Sequence, residues 1–293
     1  TQKPRYKEGT VGEITHFQAL TTAVSGTVGI GNIAGVAVAI SLGGAGAAFW
    51  LAVAGFLGMS TKFCECTLST LYRQNRDDAS VAGGPMFYLQ EGLARIGRPK
   101  LGNAMAKFYA LCMVIGCFGI GNMFQSNQAA VILTSQLGEA NFAYSNILVG
   151  LILAVTIGLV IIGGLKSIAS VTSRLVPMML VVYLALVIIV LSLNYSLVDD
   201  AFALIFSEAF TANGVSGGVI GAMIIGFQRA VFSNEAGLGS AGIAHAAAKT
   251  DEPVTQGMVA LLEPFIDSVV VCTMTALVIV ILVIIPGEAT SGL

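Results

Sequence analysis

The sequence predicts an all-α membrane protein, and three observations carry that prediction: its composition, a glycine-rich break inside an apolar segment, and the placing of its cations. Of the 293 residues, 56% are apolar and 10% charged, and the mean hydropathy is +0.86. Soluble domains carry about a quarter charged residues. Seven apolar stretches stand out, at residues 17–40, 46–71, 105–137, 147–163, 175–193, 215–248 and 254–285. About 20 apolar residues suffice to cross a hydrocarbon core as a helix, so seven spans are expected.

The first stretch contains GTVGIGNIAG at residues 26–35, four glycines and an asparagine in a segment of spanning length. Each glycine weakens a helix interior by about 1 kcal/mol relative to alanine. Unsatisfied backbone groups in lipid cost several kcal/mol more. Non-helical backbone is tolerated there only where it faces protein or a watery cavity, and its freed amides and carbonyls then serve as ligands. The first span is therefore read as discontinuous and as a binding site.

The second stretch holds Lys62 and Glu65, three apart on one helical face. The bland reading is structural pairing near a helix end. The third carries Asn122, Gln125, Ser126, Asn127 and Gln128 in mid-span. Asn122, Gln125 and Ser126 share a face and form a candidate pocket wall, although such amides also serve as interhelical hydrogen bonds. The tetrapeptide GIGN occurs twice, at 29–32 and 119–122.

The sixth stretch runs GGVIGAMIIGFQRAVFSNEAGLGSAGIAHAAAK, residues 217–249. Gly226, Phe227, Gln228 and Arg229 predict an interruption near Gly226, with helix resuming through FSNEAGLGS. Two interrupted spans in corresponding positions of two halves point to an inverted-repeat transporter with its site between them. In the seventh stretch Glu263 and Asp267 lie four apart. Intramembrane acids are costly and usually face a bundle interior or water; Asp267, the deeper one, is a candidate for ion or proton handling as well as for structural pairing.

Lys and Arg cluster before the first stretch, between the second and third, between the fourth and fifth, and after the sixth, while the alternate connections carry none. By the positive-inside rule the amino terminus is cytoplasmic. The polar start lacks the pattern of a cleavable signal peptide. A start at Thr1 and a stop just past the seventh stretch lead us to expect a piece of a longer protein. The five cysteines lack metal-ligand spacing with either histidine and read as packing residues. VDDAFALIFSEAF, residues 198–210, predicts a short external helix, and GGPMFYLQEGL, residues 83–93, a cytoplasmic amphipathic helix. An enzyme would need a nucleophile with its base or a metal cluster, and no HExxH, GxSxG or paired Cys/His motif occurs.

FQALTTAVSGTVGIGNIAGVAVAI, GGPMFYL and above all FSNEAGLGSAGIAHAAAKTDEP, residues 232–253, closely resemble the alanine or glycine:cation symporter family, the sodium:alanine symporters. The resemblance runs from about residue 13 to 285 and departs at Gly242, where most members carry proline. It implies a LeuT-type fold of five-plus-five inverted repeats, here truncated to about seven transmembrane helices with discontinuous first and sixth spans. Residues 1–293 then form one incomplete transporter domain, with 13–193 the first repeat and 215–293 the start of the second. The implied function is symport of sodium, or in some members protons, with alanine or glycine across the plasma membrane by alternating access; a channel or amino-acid sensor on the same fold is the rival. Carried onto this chain, the substrate would meet Gly29, Ile30 and Gly31 at the first break, Gln125 of the third span, and Gly226, Phe227 and Gln228 beside the sixth-span break. Sodium would be held by Thr27 and Asn32, with carbonyls of Gly26 and Val28 at or near a second site. The coupling ion stands in for any organic cofactor, the partners are a small amino acid and the lipid bilayer, and no nucleic acid is expected. The sequence sets no oligomeric state.

Overall fold

The computed structural model describes residues 10–76, 80–136, 145–211 and 218–286. Lys3, Arg5 and Lys7 lie outside these residues, as does most of the expected external connection 138–146. The first span is broken as expected: α1 (His16–Thr27) is followed by extended backbone at Val28 and Gly29, a 3-10 turn (Ile30–Asn32) and α2 (Ala34–Gly43). The two limbs are bent by 57°. Thr15 caps α1 by accepting from the Gln18 N–H, and the Gln18 side chain accepts from the Thr15 N–H in return, which satisfies donors the helix start cannot.

The second span is α3 (Gly46–Leu71). A hairpin of two-residue strands, β1 (Gln74–Asn75) with β2 (Val81–Ala82), then leads to α4 (Pro85–Arg95); the helix is expected from the sequence and the hairpin is not. The third span comprises α5 (Pro99–Gly116), a π-helical stretch (Cys117–Met123) and α6 (Phe124–Gln136). Next come α7 (Ser145–Ile161) and α8 (Gly164–Leu193). The latter starts about a dozen residues before the expected fifth span, because the stretch bearing Lys166 and Arg174 continues the helix instead of forming a loop. A short helix, α9 (Val198–Ala209), occupies the expected external segment.

The sixth stretch forms α10 (Gly218–Asn234) and α11 (Ser240–Ala246). Its break therefore lies at Glu235–Gly239, not near Gly226. Glu235, Gly237 and Gly239 take φ values of 53°, 92° and 81°, a left-handed backbone that a side chain resists. The seventh stretch is built of α12 (Pro253–Ala260), α13 (Leu262–Pro264), a π-helical stretch (Phe265–Cys272), α14 (Thr273–Ile279) and a final π-helical turn (Val280–Ile284).

Among the described residues, four helical segments are long and apolar enough to cross a membrane, Gly46–Leu71, Pro99–Ser135, Gly164–Leu193 and Pro253–Ile284, and the bent pair around the first break makes up to five. Their burial separates two roles. Half of the most apolar window of Pro253–Ile284 and a third of that of Gly46–Leu71 are buried, against 11% for Gly164–Leu193 and 6% for Pro99–Ser135. The seventh span and α3 thus form the interior, while α8 and the third span turn Leu, Ile, Val and Phe side chains outward, as a lipid-facing surface requires.

Small residues let α3 be surrounded closely, the usual device where lipid supplies no hydrophobic drive between helices. A Cβ on Gly55 would come within 2.7 Å of Ser268, and one on Gly46 within 2.4 Å of the Ala209 backbone. Gly226 behaves likewise: its missing Cβ points at Trp50 Cβ (2.6 Å), Ala47 O (2.7 Å) and Leu51 N (2.9 Å). That glycine serves helix contact. One side of the bundle is tied by Arg73, whose guanidinium donates to the carbonyls of Ala246 (3.0 Å), Ala248 (2.8 Å), Val11 (3.1 Å) and Thr250. Burial pulls this guanidinium below its ordinary pKa, with Asp251 opposing the shift.

Because backbone atoms of α3 cannot yield, Gly226→Val is expected to destabilise the protein by about 1–3 kcal/mol or prevent its assembly. The measurement is the melting profile and monodispersity of the full-length protein, with the outward-facing Ile224→Val as a control that leaves both unchanged.

Candidate ion and substrate site

The 3-10 turn at the first break exists because Asn32 caps it: Oδ1 accepts the Gly29 N–H at 2.8 Å. Gly29 is therefore engaged, while the N–H groups of Ile30 and Gly31 open a turn that offers them no acceptor of its own. A Cβ on Gly29 would stand 3.8 Å from Gln125 Oε1, and one on Gly31 4.0 Å from Phe232. Phe124 packs edge-on against Phe232 at 5.4 Å between ring centres. The break, the third span and α10 thus meet at one spot, where Gln125 presents a polar side chain. Asn122 and Asn127 are exposed.

Asn32 also reaches across the molecule. Nδ2 lies within donating distance of Asp267 Oδ1 (2.7 Å), Ser233 Oγ (3.1 Å) and the Asp267 carbonyl (3.2 Å), and 3.2 Å from Cys272 Sγ. Ser233 Oγ donates to Asp267 Oδ2 at 2.8 Å and Ser268 Oγ does so at 2.9 Å. Asn32 and Asp267 are 1% and 0% exposed. One carboxylate thereby joins the first break, the end of α10 beside the sixth-span break, and the seventh span, and every one of its hydrogen-bond donors is neutral.

The sixth-span break is held by its own motif. Asn234 donates to Ser268 Oγ at 2.9 Å and accepts the Ala236 N–H at 2.9 Å; Ser240 donates to Glu235. Glu65 Oε2 accepts the N–H groups of Gly237 (3.1 Å) and Gly239 (3.2 Å). Each polar residue of SNEAGLGS except the exposed turn thus has an assigned partner. A Cβ on Gly242 would lie 2.2 Å from Ser69 Oγ, so α11 approaches α3 closely here.

Several expected positions fall elsewhere. Gly226, Phe227 and Gln228 are inside α10 because the break is displaced: Gly226 packs on α3, Phe227 lies 6.5 Å from Trp50 ring to ring, and Gln228 is exposed. Thr27 is buried and donates to Val24 O at 3.3 Å, which leaves its oxygen lone pairs available; Val28 packs with Val24 and Val176. Gly26 is exposed and lines a cavity of about 640 Å³ together with Thr22, Arg76, Glu235 and Glu263. Lys62 bonds Glu263 at 2.9 Å more closely than Glu65 at 3.6 Å. Sequence reasoning missed Ser233 and Ser268, and took Cys272 for packing; proximity across more than 30 residues leaves no local signal.

Apolar helices that turn outward around a buried polar centre, with two of them interrupted at that centre, define an all-α multi-pass membrane protein. The chain belongs to the sodium:alanine symporter family, whose pattern matches residues 2–293. It is 46% identical over 275 residues to the sodium/alanine symporter AgcS of Methanococcus maripaludis, covering 94% of this chain and 59% of that protein. It is 37% identical to the amino-acid carrier protein AlsT of Bacillus subtilis, covering 97% and 58% of the two chains. With the probable sodium/glutamine symporter GlnT of the same organism it shares 34% identity over 91% of this chain and 53% of the relative. The chain thus spans somewhat more than half the length of these relatives.

Removing the Asn32 amide strips Asp267 Oδ1 of its closest donor and Gly29 of its cap. Asn32→Ala is expected to cost about 2 kcal/mol of stability, read as a lowered melting temperature of the full-length protein.

Proposed function

We propose that the whole protein is a secondary active symporter that couples inward movement of sodium to uptake of a small neutral amino acid, alanine or glycine, by alternating access. The observation that carries the reading is Asp267: a fully buried carboxylate, bonded only by neutral donors, set between two helix breaks. Such a charge is costly without a counter-ion. Sodium is a hard cation that favours oxygen ligands. The residues present fit it, because Asp267, Ser233 and Ser268 bring carboxylate and hydroxyl oxygens to one place. A proton in the same role is the alternative coupling ion.

The substrate carboxylate would take the free N–H groups of Ile30 and Gly31, with the partial positive charge of a helix amino end behind them. Gln125 supplies the polar wall, and Phe124 with Phe232 limits the pocket's width, which favours a small side chain. Gly29 contributes shape, since its own N–H is taken. Anion and cation each reduce the electrostatic cost of the other, so their binding is coupled and reciprocal. Thr27 lies at the same break and offers a further oxygen; the carbonyls of Gly26 and Val28 lie at its α1 end.

This reading includes the LeuT-type arrangement, with residues 13–193 as one five-helix repeat and 215–293 as the start of a second, seven spans in all. It also places the protein in the plasma membrane with a cytoplasmic amino terminus. Supporting that orientation, Arg73 gathers the segment before α1, the end of α3 and the end of α11 on one cation-bearing side.

In proteoliposomes the full-length protein is expected to accumulate labelled alanine under an inward sodium gradient and to lose accumulation when sodium is equalised. Accumulation driven by a proton gradient alone would transfer the coupling role to protons, and ion flux without alanine movement would make it a channel. Gln125→Leu is expected to raise the half-saturating alanine concentration at least tenfold with an unchanged melting temperature; wild-type affinity would remove Gln125 from the pocket.

A further inference from the structure

Among the described residues, Arg229 is an intramembrane cation without a counter-charge. It lies in α10, about 16 Å along the helix from its start at Gly218, and a charge at such depth needs an opposite charge or water. The side chain is partly buried and its Nε is buried with no hydrogen-bond partner. The ion pairs among the described residues are those of Lys62 with Glu65 and Glu263. Neither α2, the 3-10 turn, the third span nor α10 itself carries an acid.

The helical neighbours of Arg229 fix where it stands. Ile225, Phe232 and Ser233 lie four before, three after and four after it, so they share its face, and each of them touches the first span. A Cβ on Gly43 would come within 3.3 Å of Ile225 and one on Gly31 within 4.0 Å of Phe232, while Ser233 Oγ is 3.1 Å from Asn32 Nδ2. Arg229 therefore sits one turn from Phe232 and Ser233, on the side of α10 that crosses the first break and α2. Gly35, in the first turn of α2, is buried, yet a Cβ there would meet nothing within 4 Å, so open space adjoins the break. We propose that Arg229 is a further substrate-binding residue, the counter-charge of an amino-acid carboxylate held by the N–H groups of Ile30 and Gly31. That carboxylate is the anion which the proposed transport cycle brings to this break. A guanidinium offers it five N–H donors, and in a low-dielectric interior its charge is felt even a helical turn away. The same charge repels sodium, which keeps the cation at Asp267 and the anion at the 3-10 turn. Arg229 thus selects ligands for their carboxylate and not for their amine.

The inference rests on the amino-acid substrate proposed above, and competition against labelled alanine on the purified full-length protein, in sodium, tests the two separately. The competitors are unlabelled alanine and alaninamide, which share the amine and the methyl group and differ in the carboxylate. Alanine is expected to compete better in the unaltered protein. In Arg229→Gln that advantage is expected to shrink about tenfold, the worth of one charge-assisted hydrogen bond, because alanine weakens and alaninamide does not. Should that variant fail to fold, Arg229→Lys, which keeps the charge and loses the paired donors, is expected to narrow the advantage about threefold. An unchanged advantage overturns the inference, whether neither ligand is affected or both weaken equally; equal weakening with a lowered melting temperature would assign Arg229 to a carboxylate elsewhere in the full-length protein. Failure of the unaltered protein to bind alanine overturns the substrate reading itself.

Discussion

The structure turns on one electrostatic constraint, the burial of Asp267 with neutral donors alone. A carboxylate withdrawn from water needs its hydrogen bonds complete and its charge answered. Asn32, Ser233 and Ser268 meet the first requirement. To do so they must come from the first break, the end of α10 and the seventh span, so the carboxylate fixes how those three elements meet. The bend at the first break is part of the same constraint: Asn32 caps the turn with one end of its amide and reaches Asp267 with the other. Neither job can be done from a straight helix, because the cap requires Gly29 to leave helical geometry.

Around that centre, packing follows from the absence of a hydrophobic drive between helices in lipid. The interior spans approach α3 on glycine and alanine, and the polar groups around Asp267 and at the sixth-span break are hydrogen-bonded across the helices. The π-helical stretch over Phe265–Cys272 contains Asp267, Ser268 and Cys272. Such a stretch carries an extra residue per turn, which rotates successive side chains relative to an α-helix and presents this set to Asn32 and Ser233.

What was legible in the sequence divides along local and non-local lines. The first break could be read at its true position, since four glycines and an asparagine in ten residues leave a membrane helix no good way to continue. The sixth break was legible in kind but displaced. Gly226 weakens a helix intrinsically, yet here it buys a close crossing with α3, and the helix persists to Asn234, where left-handed Glu235, Gly237 and Gly239 end it. GIGN makes the point within one chain: at Gly29 it forms a capped 3-10 turn, while at Gly119 it lies in a π-helical stretch. Only the first copy has an Asp267 within reach of its asparagine. Likewise Lys62 has Glu65 three residues away, but its shorter bond is to Glu263, 201 residues distant. Helical spacing shows who shares a face and says nothing of what packs upon it.

The same asymmetry bears on how the buried charges are connected. Glu65 stands at the junction, with one oxygen on the break amides and the other facing Lys62. Any change in the charge that Lys62 answers must therefore be felt at Gly237 and Gly239, next to the left-handed Glu235 that already costs the break some strain. Because Ser233 lies two residues before that break and bonds Asp267, a shift in the break also changes the donors of that carboxylate. The two acids Glu263 and Asp267 are four residues apart on one span, and a second route between them runs out through Lys62 and Glu65 and back through Ser233. A coupling carried by that route requires no motion of the seventh span, only a redistribution of one ammonium between two carboxylates.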